Sequence, residues 1–215
     1  MRILTGPASP KPASTPLRDD QFIYASLAAA SPDLQKLLPD TRGYTLHNYT
    51  ITAVRNAELD SNHFIHPQHR CLVDWFKSKY RDDIKGVFYK RFDPLDVKPA
   101  LGSIVVLEPT DNFADYRYRL YGSQVVDTYG ADLTGRTSGD LNTESTRNVR
   151  PQYQASARNN ITVYTEHDKE RTRELDKIPR WDRWSRLILP LVDEETKVKR
   201  ILVSMVATEI PYNSA

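Results

Sequence analysis

The spacing of apolar residues changes along this chain and divides it into three kinds of text. Residues 1–20 hold four of the fourteen prolines and almost no large apolar side chain. Burial there cannot offset the entropy of ordering, and a disordered tail is expected. Residues 21–62 read as an N-terminal extension. Phe22, Leu27, Leu34, Leu37 and Leu38 give its first part helical character. That character breaks at Ser31-Pro32, where proline removes a donor and disfavours helix in the residue before it. Residues 44–55 are rich in β-branched and aromatic side chains and predict an extra strand.

From residue 63 the pattern becomes more regular. Pro67 suits a first helical turn, and Leu72, Trp75, Phe76 and Tyr80 follow at spacings of three and four, giving a helix with one strongly apolar face. Asp93-Pro94 opens a second, shorter helix. The period then drops to two. Ile104 to Leu107 form a buried strand, and Tyr116, Tyr118 and Leu120 alternate along its hairpin partner on one face. Ser123 is placed to cap a short helix carrying Val125, Val126 and Tyr129, which Gly130 ends. Residues 143–158 form a further helix with Val149 and Tyr153, interrupted by Pro151. Strands are expected at 161–164, 184–192 and 198–208, and the charged stretch 166–182 reads as a long solvated connection between the first two.

Two strands, a helical insert and three strands make an α+β plan: one five-stranded antiparallel sheet with short helices on one face. The domain so defined runs over 63–210, with 211–215 as a C-terminal tail. Five of the eight glycines fall between 102 and 139. The insert is therefore a series of stubby helices that can leave a cavity against the sheet.

Composition narrows the function classes. Thirty Lys and Arg against 28 Asp and Glu leave a formal charge of +2, without the basic excess of a dedicated nucleic-acid binder, so no nucleic-acid partner is expected. No run of apolar residues is long enough for a membrane helix, and the proline-rich start is no secretory signal, so the reading is cytoplasmic. The single Cys71 cannot form an intramolecular disulfide or a thiolate zinc site.

The stretch DPLDVKPALGSIVVLEPTDNFADYRYRLYGSQVVDTYGADLTGRTSGDL, from Asp93 to Leu141, resembles a bacterial PAS-domain family of the stand-alone type. Its tyrosine–arginine strand and its Asp132-Leu133-Thr134-Gly135-Arg136 turn match that family's DFRYRLVGT and DLTGR motifs. Arg186 to Leu191 (RLILPL) is similar to its ERLLLPL strand, and Cys71 to Tyr80 to its N-terminal helix. Ser185 stands where the family usually shows an acid. The resemblance implies a sheet-and-helix shell around a ligand-sized space in a sensory or interaction module; it does not supply a ligand, since one such shell can hold several cofactors or none.

Candidate ligand-binding residues are Tyr116, Tyr118, Tyr129 and Tyr153, whose rings and hydroxyls could surround a pocket, with Leu187, Leu189 and Met205 from the later strands. An ordinary filled core is the alternative. Arg136 could anchor a carboxylate or phosphate, or else bond backbone carbonyls within the insert. Arg186 lies on the opposite strand face from Leu187 and Leu189 and is assigned to the outer helix rather than the pocket. Trp75 and Phe76 are the candidate interface for a homodimer or a signalling protein, against the alternative that they pack on their own sheet.

His63, His66, His69 and Cys71 fall within nine residues, but no acid accompanies them and the helix start explains them, so no metal is expected. No His, Cys or Met between Leu72 and Asn160 could ligate haem, and no cysteine lies in the insert for a covalent flavin, so no cofactor is expected. The chain carries no nucleophile elbow, phosphate-cradling loop or zinc-protease helix, and an enzyme is not expected. The sequence reading is thus a PAS-type module that binds an unidentified small organic ligand and signals through protein contacts. A ligand-free interaction or dimerisation module is the alternative.

Overall fold

The computed structural model describes residues 46–141, 144–171 and 180–210. The expected tails at 1–20 and 211–215, and the helical part of the extension, lie outside them. In chain order the elements are β1 (Leu46–Val54), α1 (Pro67–Lys79), β2 (Val87–Phe88), β3 (Ile104–Thr110), β4 (Asp115–Tyr121), α2 (Ser123–Tyr129), α3 (Ser138–Leu141), α4 (Glu144–Asn159), β5 (Thr162–Arg171), β6 (Arg180–Val192) and β7 (Val198–Ile210). Between α1 and β3, Asp93 caps a 3-10 helix over Pro94–Ser103 by accepting from the Leu95 amide at 2.9 Å.

The α+β plan holds, with a sheet of seven strands rather than five. The expected five form a contiguous antiparallel run, β5-β6-β7-β3-β4, with α2 to α4 inserted between β4 and β5 in sequence. β1 adds to the free edge of β5, the strand expected at 44–55. The pairing of β5 with β6 starts at Val163 and Ile188, and β2 runs parallel to β6 beyond that point, at Leu191 and Val192.

Within the charged stretch 166–182, residues 166–171 and 180–182 are corrected from a solvated connection to paired strand, while 172–179 lie outside the described residues. β5 and β6 stay in register from Glu166 opposite Ser185 to Arg171 opposite Arg180. Asp168 is wholly buried there and accepts two hydrogen bonds from Arg183, at 2.7 and 2.9 Å. A forked pair of this kind offsets the cost of burying the carboxylate, which is why charge did not keep the segment in solvent.

Helices cover both faces of the sheet, not one. α1 buries Leu72, Val73, Trp75 and Phe76 on the face formed by Leu187, Leu189, Leu191 and Leu202. The insert covers the other face, where Val125, Leu133, Val149 and Tyr153 meet Val105, Leu107, Ile188, Ile201 and Val203. The N-terminal helix is the more apolar of the two layers and takes the all-leucine side of β6. Trp75 and Phe76 are therefore corrected from interface to core: both are buried, Phe76 wholly, with Trp75 edge-on to Phe92 at 5.2 Å.

A β-bulge shifts the second face of the hairpin. Val106 pairs with Leu120, but Leu107 pairs with Tyr118, so β4 carries one extra residue at Arg119. Past the bulge the alternation inverts. Leu120 packs with the α1 side, and Tyr121 takes the place beside Tyr116 and Tyr118 that was expected for Leu120. The turn after β4 is tight, and a Cβ on Gly122 would collide with the Gly102 carbonyl; Gly122, whose carbonyl accepts from the Val126 amide at 2.9 Å, is the N-cap of α2 in place of the expected Ser123. Gly130 closes that helix at φ +91°, as expected.

Candidate functional site

Between the sheet and the insert lies a cavity of about 60 Å³. β4 contributes Tyr118 and Tyr121, and α2 with the loop after it contributes Tyr129 and Leu133. α4 adds Val149 and Tyr153 at the helical spacing of four that puts both on one face. The floor is made by His167 of β5, Trp184 and Arg186 of β6 and Met205 of β7. Arg186 and Met205 are cross-strand partners, and Trp184 and Arg186 share a face because strand side chains alternate.

The tyrosines form a connected wall. Tyr118 stands edge-on to Tyr121 at 5.6 Å, and Tyr121 to Tyr129 at 6.2 Å. Burial pushes the phenols of Tyr118, Tyr121 and Tyr153 well above their ordinary range, those of Tyr118 and Tyr121 being raised further by Tyr153 and Tyr129, while Arg186 pulls all three back. They are neutral hydroxyl donors at any ordinary pH. Arg186 is 4% exposed, and its one protein hydrogen bond runs from Nη1 to the Gln152 Oε1 at 3.3 Å. Its Nε is buried without a partner. None of the side chains lining the cavity is an acid.

Of the candidate ligand-binding residues, Tyr118, Tyr129, Tyr153 and Met205 line this cavity. Tyr116 lies behind it, wholly buried, 5.4 Å from the Tyr153 ring, with its hydroxyl donated to the Phe113 carbonyl at 3.1 Å. Leu187 and Leu189 are corrected to the α1 face. Arg136 is exposed and away from the cavity, and its carbonyl accepts from the Tyr118 amide at 2.9 Å, so it serves the turn through its backbone. Arg186, assigned by sequence to the outer helix, is in the cavity. These two reassignments have one origin: the parity of β6 was read correctly, but its two faces were given to the wrong helical layers. Tyr121 was missed because of the bulge at Arg119, His167 because charge marked its segment as a loop, and Trp184 because it shares with Arg186 the face of β6 that was given to the outer helix.

Behind the sheet, His69 of α1 joins the same strands from the other side. It is wholly buried, with Nδ1 2.8 Å from the Ser204 hydroxyl and Nε2 3.0 Å from the Ser185 hydroxyl. Burial, with a smaller contribution from His66, lowers its pKa to about 3. Both ring nitrogens are thereby engaged with serines. Among the described residues no three His, Cys, Asp or Glu side chains are grouped as metal ligands would be, His63, His66, His69 and Cys71 included. Among the same residues no helix is long and apolar enough to cross a membrane.

No protein-family model and no curated protein matches the chain. The solved structure of an RNA-binding light-oxygen-voltage receptor is similar at a TM-score of 0.33 and 13% identity, over 53% of this chain. The match spans about a third of that receptor's own chain, 32%.

Proposed function

We propose that this chain is a PAS-type sensory module which holds a small organic ligand between sheet and insert and signals by changing its contacts with another protein or a second copy of itself. The observation that carries the reading is the cavity itself. It is lined by α2, the loop after it and α4 of the insert together with four strands of the sheet, and polar groups from three strands and two helices converge on it.

The same strands offer a route outward. Arg186 and Met205 face the cavity, while their chain neighbours Ser185 and Ser204 face α1 and hold His69. A ligand that moves β6 or β7 at the cavity therefore alters the seat of α1 on the opposite face.

A thermal-shift screen of small organic molecules on the full chain tests the proposal. A ligand at a hundred times its Kd stabilises the fold by about 2.7 kcal/mol. The shift is expected to vanish in Val149→Phe, which fills the cavity from α4. Native mass spectrometry without any co-purifying molecule, together with a screen without a stabiliser, would instead establish the ligand-free interaction module.

A further inference from the structure

We infer that the cavity is built for a short-chain monocarboxylate of two or three carbons, bound through its carboxylate to Arg186. The inference rests on the cavity reading above and specifies the chemical class of its occupant.

The argument begins with an uncompensated charge. Burying a guanidinium without a counter-ion costs several kcal/mol, and folded proteins almost always neutralise one with a carboxylate. Here Arg186 is 4% exposed, yet among the described residues no acid forms an ion pair with it. Its hydrogen-bonding is also incomplete. Nη1 reaches the Gln152 Oε1 at 3.3 Å, an oxygen already taking the Thr165 hydroxyl at 3.2 Å, and Nε has no partner. Arg186 lines the cavity, and its planar guanidinium matches the two oxygens of a carboxylate. The neutral phenols of Tyr118, Tyr121 and Tyr153 add donors and no negative charge to compete with an anion.

Size and wall chemistry narrow the class. About 60 Å³ is the room of roughly four to six waters, at about 10–15 Å³ for each. That matches acetate or propionate and is small for a dicarboxylate of four or more carbons. Leu133, Val149 and Met205 give apolar walls, suited to a methyl or ethyl group and poorly suited to an inorganic anion, all of whose faces seek hydrogen bonds.

The experiment is calorimetric titration and thermal shift of the full chain with sodium propionate, using propionamide as the uncharged isostere and sodium chloride at equal ionic strength. Propionate is expected to bind and raise the Tm, propionamide to bind at least tenfold more weakly, and chloride to do nothing. R186M should lower propionate affinity by 10- to 100-fold, the loss of charge-assisted hydrogen bonds. R186K keeps the charge but not the fork and should fall between; it also guards against R186M failing through misfolding. Propionamide binding as well as propionate, with both lost in Val149→Phe, would overturn the carboxylate while leaving the cavity reading intact. Nitrate or phosphate stabilising where propionate does not would also overturn it. Absence of propionate binding would overturn the carboxylate, and the cavity reading would then fall only if the wider screen also finds no stabiliser.

Discussion

His69 is the residue on which acid stability turns. Its pKa of about 3 in the folded chain lies well below the 6.5 of an unperturbed imidazole, because burial between α1 and the sheet disfavours the charged ring. Between those two values the unfolded chain takes up a proton that the folded one refuses, so the stability that neutral His69 lends is complete above about pH 6.5 and is lost as pH falls toward 3. The slope is about 1.4 kcal/mol for each pH unit, or about 2 kcal/mol between pH 6.5 and 5. Urea unfolding midpoints measured across that range should fall accordingly, and the fall should be shallower by this amount in His69→Gln. An identical slope in the variant would assign the acid sensitivity to other groups. At this scale the sequence could not speak: four ligand-type residues within nine were explained by the helix start rather than by a metal, and only the fold shows two serines, 116 and 135 residues away, meeting the ring.

At the scale of elements, periodicity carried most of the information, and it failed where one residue changes a parity. The helix at Pro67, the hairpin of β3 and β4, the α4 helix and the three closing strands all follow from spacing and turn chemistry alone. The bulge at Arg119 leaves no such trace, because the sequence there alternates without a break, and it exchanges Leu120 for Tyr121 on the cavity face. The charged half of the β5–β6 hairpin was illegible for a related reason: Asp168 and Arg183 pair across strands that have to be placed before the pairing can be seen. Layer assignment is a third limit. Alternation says that Arg186 and Leu187 part company, but not which of them meets α1. Phe76 tests the layer directly. As a wholly buried side chain against Leu187 and Leu189, it should cost about 3–5 kcal/mol when truncated in Phe76→Ala, seen in chemical denaturation. Sedimentation should show the self-association of the native variant unchanged; dissociation of a dimer without loss of stability would return Phe76 to an interface. Asn56 tests the attachment of the added edge. Its amide donates to the carbonyls of Lys85 and Asn160 at 3.1 and 2.9 Å and accepts from the Thr162 hydroxyl at 3.0 Å, so Asn56→Ala should cost about 1–3 kcal/mol by leaving buried groups unpaired.

For the whole molecule, two cores share one sheet, and among the described residues its strands stand between the cavity and α1 and contribute to both. Each of β6 and β7 presents adjacent residues to the two sides: Ser185 with Arg186, and Ser204 with Met205. Close-packed interiors move by repacking rather than by continuous give, so a displacement of Arg186 toward a bound carboxylate is passed to the hydroxyl beside it. The size of the effect is bounded by the ligand's own preference for one arrangement over the other. Amide hydrogen exchange can separate this route from general tightening. Saturating propionate is expected to slow exchange in α4, which lines the cavity, and also in α1, which does not. Ser204→Ala leaves the cavity lining intact but removes the partner of Nδ1, so ligand protection should persist in α4 while shrinking in α1. The variant should also lose about 1–3 kcal/mol of stability, because a buried ring nitrogen is left without its hydrogen bond. Equal protection of α1 in the variant and the parent would show that the coupling runs through packing of the apolar strands instead. No change in α1 exchange in the parent, with α4 protected, would mean that a signal leaves by the insert side, through the surface of α2 and the turn at Arg136.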